Sequence, residues 1–287
     1  MQMFFRWLRW WGMLALLPAQ GLAQVYCTAP NRALADSCLA EFAAAGLAQM
    51  PPGEAAIRVG TYFLGTPYIA HTLELPGEEQ LVVRLDGLDC TTFLENVVAF
   101  VRCGQRRQWT YEAYLAALAE VRYRGGRPGP YPSRLHYFSD WIADNQAKGL
   151  LRDMTQALGG TPVQKRIDFM STHPGSYRQL TETPAWTDSV RQVEQALSAR
   201  TRYVIPKDQI AAREAGIQPG DLIAIATSIG GLDVQHVGMA YRKGGRIHLL
   251  HASSLTNEVE ISAQPLHDYL AASKSASGIM VCRLLAP

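Results

Sequence analysis

Apolar residues follow two different rhythms along this chain, helical in the first half and strand-like in the second. Residues 29 to 49 are rich in Ala and Leu and predict a helix ended by Pro51 or Pro52. Glu54 to Leu64 predicts another, stopped at "GTPY". "EQLVVRLDG" has the continuous apolar run and flanking Gly of a strand. From Cys90, Phe93, Val97 and Val101 fall on one stripe with Leu94 and Val98 beside them, an amphipathic helix that Gly104 is expected to close. Thr110 to Tyr123 predicts a further helix, "YRGGRPGPYPS" an irregular loop, and Arg134 to Lys148 one more helix.

After residue 160 the rhythm shortens. "VQKRIDFMS" reads as a strand, "THPGSY" as a loop and Thr187 to Ala199 as a short helix. "RYVIP", "GDLIAIAT", "QHVGMAYR", "RIHLLHAS" and "GIMVCRLL" are β-like runs joined by short turns. Helices first and antiparallel strands later predict an α+β fold, with the helices on one side of the sheet. No repeat, linker or low-complexity tract divides residues 24 to 287, which read as one domain with an insertion at 104 to 180.

The first 23 residues break this pattern. Two arginines, Arg6 and Arg9, precede a short apolar run from Trp10 to Leu17, and Pro18 and Gln20 interrupt it. Gly21 and Ala23 place small residues at the spacing for a cut before Gln24, the form of a secretory signal peptide. The rival reading, an uncleaved anchor, needs about 20 apolar residues and the run is shorter. No later segment is long and apolar enough to predict a membrane span. Periplasmic or secreted location is therefore expected. The formal net charge is +2, equal to the two leader arginines, so the remaining chain is close to neutral. No Lys/Arg cluster tracks phosphates, which argues against nucleic acid as a partner.

Export changes how the cysteines are read. Five are present, Cys27, Cys38, Cys90, Cys103 and Cys282, and an odd number leaves at least one thiol unpaired in an oxidising compartment. Cys27 and Cys38 are close in sequence and are expected to form a disulfide. Cys103 and Cys282 sit in apolar runs and read as buried core thiols. Cys90 and Cys103 on one straight helix would stand roughly 20 Å apart, too far to pair.

Cys90 lies in "LDGLDCTTFLENVV", between a turn and a helix. Asp89 is placed to cap that helix, which puts Cys90 at its first position. The positive end of the helix dipole and its free N–H groups favour a thiolate and a developing oxyanion there. A small core thiol at a helix start is the alternative. A nucleophile needs a base, and three of the seven histidines, His236, His248 and His251, lie on a hairpin, "QHVGMAYRKGGRIHLLHAS". A loop at Lys243-Gly244 sets His236 directly opposite His251. A loop at Gly244-Gly245 keeps the two on one face, diagonal to each other. A three-residue loop would substitute His248, which otherwise points away and is expected to be solvated. His236 would take the thiol proton and return it to a leaving amine, and His251 would hold His236 in the useful tautomer. A zinc site is the competing use of one Cys and two His, but the HExxH and paired CxxC spacings are absent.

"GTPYIAH" before "LDGLDCTTFLENVVAF", then "GDLIAI", "HVGMAY" and "IHLLHASS", resemble the NlpC-like papain-fold cell-wall cysteine hydrolases. The N-acetylmuramoyl-L-alanine amidase-like branch is the closer match, and it carries a segment like "DFMSTHPGSY" between Cys and His. The resemblance implies a papain-like fold with N-terminal helices packed on an antiparallel sheet. It implies Cys90 as nucleophile, His236 as base and His251 as third polar residue, with no cofactor and no metal. Tyr68 matches the tyrosine ahead of the nucleophile, and Asp89 and Tyr177 are further substrate-binding candidates, with Arg127 or Arg178 for carboxylates. "CTTF" and "IAH" depart from the commoner Cys-Ser-Gly and aromatic-Gly-Gly runs, which weakens transfer of substrate detail. The implied substrate is peptidoglycan or a muropeptide, cut at the N-acetylmuramoyl-L-alanine amide. A stem-peptide endopeptidase, an acyltransferase and a non-catalytic peptidoglycan-binding module are the other functions this pattern admits.

Overall fold

A computed structural model describes residues 24–286; the leader read from residues 1–23 lies outside them. The helices are α1 (Ala29–Ala44), α2 (Pro52–Tyr62), α3 (Cys90–Arg106), α4 (Tyr111–Arg122), α5 (Phe138–Ala147), α6 (Phe169–Thr172), α7 (Arg178–Glu182), α8 (Ala185–Ala199), α9 (Ile210–Arg213) and α10 (Leu266–Ala271). Strands β1 (Val25–Cys27) and β2 (Leu81–Val83) pair in parallel. The main sheet comprises β3 (Leu151–Asp153), β4 (Thr161–Val163), β5 (Arg202–Pro206), β6 (Leu222–Thr227), β7 (Val234–Lys243), β8 (Arg246–Ser253), β9 (Glu258–Ile261) and β10 (Ala276–Leu284). Its order is β4-β5-β10-β6-β7-β8-β9, with β3 added to β10, and every pairing is antiparallel.

The sheet is covered on both faces, and β6 shows why. Leu222, Ala224 and Ala226 join the core formed with α1 to α4, while Ile223 and Ile225 join a second core with Ile210, Leu266 and Leu270. Strand alternation thus sends each residue of "LIAIA" to an apolar partner, which accounts for an unbroken apolar run in a central strand. The expected segregation of helices to one side holds for α1 to α4; α9 and α10 cover the opposite face. On the first face α3 is the central helix, packed against α2, α4 and β7. Glu95 and Arg122 form a buried ion pair across α3 and α4 at 2.6 Å, and Arg122 also donates to the Val82 carbonyl. The start of the 104–180 stretch is therefore core rather than insertion.

Four local expectations differ from the structure. Gly104 does not close α3: it is buried where the helix approaches Leu47, and the helix ends at Arg107 with φ 55°. "VQKRIDFMS" is not a strand: Val163 ends β4, and Phe169 begins α6 after Asp168 and Phe169 donate to the Gly231 carbonyl. Cys27 and Cys38 are both free thiols. Ten residues of α1 carry Cys38 roughly 15 Å along the axis from the helix start beside Cys27, beyond the roughly 7 Å that a disulfide spans between Cα atoms. His248 is not solvated: it is buried and its Nδ1 hydrogen-bonds the Ser262 carbonyl at 2.8 Å.

The hairpin register follows from its turn. Lys243 pairs with Arg246 around a Gly244-Gly245 loop whose residues have φ 57° and 81°. A two-residue loop of this type needs positive φ at both positions, which two glycines adopt without the strain that Lys243 would bear. Met239 pairs with Leu250, so His251 lies opposite Gly238 and His236 is its diagonal neighbour.

Candidate active site

Cys90 is held from its amino-terminal side by a reciprocal cap. The Thr92 amide donates to Asp89 Oδ1 at 2.7 Å, and the Asp89 amide donates to Thr92 Oγ1 at 2.9 Å. Asp89, a substrate-binding candidate by sequence, thereby gives one carboxylate oxygen, Oδ1, to the helix start. Asp89→Ala is expected to lower stability by about 1 kcal/mol, measured by thermal denaturation, since the first-turn N–H loses its acceptor.

The thiol itself is not activated at rest. Burial, with the Asp89 carboxylate adding to it, pushes Cys90 up to about 12, against hydrogen bonds from the Val237 and Thr91 backbones. Desolvation is the largest influence on the thiol and exceeds the hydrogen bonds that favour its charged form. Burial also lowers His236 to about 4. A neutral thiol and a neutral imidazole are the resting state these directions define.

A β-bulge aims the histidine. Ile225 pairs with His236 but Ala226 pairs with Val234, so Gln235 is the extra residue in β7. His236 Nε2 meets His251 Nδ1 at 2.6 Å with the two rings nearly perpendicular at 84°. His251 is fully buried; burial and then His236 lower it to about 3. Gly238 permits this approach, because a Cβ there would meet the His251 Cβ at 2.9 Å. With Nε2 engaged, Nδ1 is the His236 nitrogen left for a thiol proton.

Cys90 and His236 line one cavity of about 190 Å³, and Tyr177 lines it with them. Tyr68 stands beside the nucleophile: burial, then the Cys90 and Asp89 charges, raise its phenol to about 12. A second cavity of about 440 Å³ meets the first at Gln235 and His236 but does not include Cys90. Arg127 and Arg178 line neither; Arg178 donates to the Glu74 carbonyl. Among the described residues no group of three metal-ligating side chains is arranged to hold an ion.

Sequence reasoning missed several cavity residues. Glu74 is anchored by Arg134 at 2.7 Å, yet its Oε2 is buried with no partner, and the Tyr131 hydroxyl is likewise buried and unpartnered. Both line the first cavity. Neither lies in a motif. The signal for them is the compensating Arg134, which reaches Glu74 from 60 residues away. Glu260, on the unpredicted β9, pairs with His251.

The N-acetylmuramoyl-L-alanine amidase-like family, AmiA-like, matches residues 58–279. No curated protein matches the chain. The structure is similar to an N-acetylmuramoyl-L-alanine amidase from Bacteroides uniformis, with TM-score 0.78 and 37% identity over 81% of this chain and 98% of that one. It is also similar to a Bacteroides fragilis protein provisionally described as a xylanase, with TM-score 0.76 and 38% identity over 79% and 99%. A Legionella pneumophila protein of the DUF1460 family model shares the fold at TM-score 0.67 and 22% identity, over 90% and 97% of the two chains. Matched by the family model over most of its length, and 37% identical to a solved amidase over 81% of the chain, the chain belongs to the N-acetylmuramoyl-L-alanine amidase-like family.

Proposed function

We propose that the protein is an exported cysteine amidase that hydrolyses the N-acetylmuramoyl-L-alanine amide of peptidoglycan or its fragments. The observation that carries this reading is the convergence of Cys90, at the start of α3, and His236 on one cavity, with the buried His251 bonded behind His236. Family membership supports the amide as the bond, and the leader-like first 23 residues support action in the periplasm or outside the cell. Among the described residues no helix is long and apolar enough to cross a membrane. A nucleophile-bearing helix against an antiparallel sheet, with the base on β7, supports reading the fold as papain-like.

In this mechanism the Cys90 sulfur attacks the lactyl carbonyl as its proton passes to His236 Nδ1. The first-turn N–H groups of α3 face the developing oxyanion. His236 then protonates the alanine nitrogen, the C–N bond breaks, and the peptide leaves with a free amine. Water, deprotonated by His236, hydrolyses the thioester and frees the muramic acid carboxylate. Because the acyl group ends on Cys90, the sugar belongs on the side of Tyr131 and Tyr177. The leaving peptide belongs on the His236 side, where the second cavity opens.

Incubation with muramoyl tri- and tetrapeptides, followed by mass spectrometry, tests the reaction. Free amino sugar and intact peptide are expected. Cleavage between D-glutamate and the diamino acid would make the protein an endopeptidase, and recovery of uncut substrate would leave binding alone.

A further inference from the structure

The geometry points to Glu260 as a positioning residue that fixes the tautomers of His251 and His236 and supports the positive charge His236 acquires. The inference rests on the thiol–imidazole reading of the site. It starts from an atom without a partner: His251 is fully buried, and its Nε2 makes no hydrogen bond among the described residues. The group nearest to pairing with it is Glu260 Oε1 at 3.7 Å, on a side chain 24% exposed. Backbone register puts the carboxylate there, since His251 and Glu260 are cross-strand partners on β8 and β9. Cross-strand neighbours project to the same face of a sheet.

Proton bookkeeping through the two rings gives the carboxylate its role. His236 Nδ1 can accept the thiol proton only if it carries a lone pair, which places the hydrogen on Nε2. That N–H must then donate across the 2.6 Å contact to His251 Nδ1. His251 Nδ1 must therefore be the acceptor, so the His251 hydrogen sits on Nε2, facing Glu260. The opposite tautomers would aim an acceptor nitrogen at a carboxylate and leave His236 Nδ1 protonated and useless as a base. A carboxylate behind His251 selects the productive set. When His236 becomes an imidazolium, the same negative charge stabilises it through the intervening ring. A distance of 3.7 Å leaves the contact able to tighten as that charge develops.

The other groups around this pair do not substitute for Glu260. The Tyr269 ring packs edge-on against His251 with centroids 5.6 Å apart, and its phenol is held up by burial and by the Glu260 and Cys90 charges. Cys90 and Tyr68 are neutral at pH 7, their protons held by burial. Asp89 is committed to its cap and Glu74 to Arg134.

The test uses the full mature chain with Glu260→Gln and Glu260→Ala. Nitrogen-15 NMR of the histidine rings reads the tautomers without turnover, so it is independent of whether the protein is an amidase. The expected wild-type state carries hydrogen on Nε2 of both His236 and His251. Glu260→Gln retains an acceptor and should keep those tautomers, while Glu260→Ala should mix them. In turnover, Glu260→Ala should lower kcat by about 10-fold to 100-fold, the range for partners that orient a functional histidine, with KM little changed. Both variants should move the acid limb of the kcat/KM profile to lower pH, because the imidazolium loses a stabilising charge. Unchanged tautomers and an unmoved acid limb in Glu260→Ala would overturn the inference, even if its melting temperature falls. Failure of the cysteine reading would appear separately, as hydrolysis surviving in Cys90→Ala.

Discussion

Cys90→Ala should reduce hydrolysis of a muramoyl peptide by about ten-thousand-fold or more, the scale for removing a nucleophile that acts within a unit. The fold should survive. Ala fits the first position of α3, and the cap formed by Asp89 and Thr92 does not use the sulfur. Circular dichroism and melting temperature close to those of the parent, together with lost product in mass spectrometry, are the expected pair of results. Full activity in this variant would remove the cysteine from the mechanism. The thiol's chemistry adds a second readout. Because burial holds Cys90 at about 12, its thiolate fraction is small at pH 7 and grows as pH rises. Iodoacetamide should therefore label Cys90 faster through the alkaline range, and Cys27, the other partly exposed thiol, is its competitor. Rapid alkylation at pH 5 would instead reveal a preformed thiolate–imidazolium pair, contrary to the neutral resting state.

His236→Ala is expected to cost about 100-fold to 10,000-fold in kcat, the range for a positioned general base. His251→Ala should cost less, about 10-fold to 100-fold, because it acts through His236. His248→Ala should leave kcat within a few-fold. It should lower stability by about 1 kcal/mol, since His248 lies on the other face and bonds the Ser262 carbonyl. A kcat series that ranks His248 above His251 would contradict the Gly244-Gly245 register. The pH profile carries the sign of the same argument. The active form has neutral His236, and burial lowers that group from 6.5 to about 4. Activity should thus hold as pH falls through 6.5 and decline only near 4. A decline centred at 6.5 would place His236 in a solvated setting that the sheet does not provide.

How far the chain could be read in advance differs from element to element. The five strands "RYVIP" to "GIMVCRLL" and the helix from Cys90 were legible because their apolar periods are local and are reinforced by Gly turns and an Asp cap. The placement of Cys90 at a helix start, and of His236 and His251 on one face of a hairpin, was legible for the same reason. A capped helix start and a same-face hairpin pair are short-range facts. The strand read into "VQKRIDFMS" failed because its backbone donors go to Gly231, a partner about sixty residues away in sequence that no local pattern announces.

Local sequence therefore determined which side chains could do the chemistry. Tertiary structure decided their state and their company. It buried Cys90 enough to keep the thiol protonated, and it separated Cys27 from Cys38 along α1. It set Gly238, and not His236, directly across from His251. It also brought Glu74, Tyr131 and Glu260 to the site from segments with no motif of their own. Desolvation and cross-strand register depend on which distant segments pack together. A helix period or a cap is fixed within a few residues and can be read there.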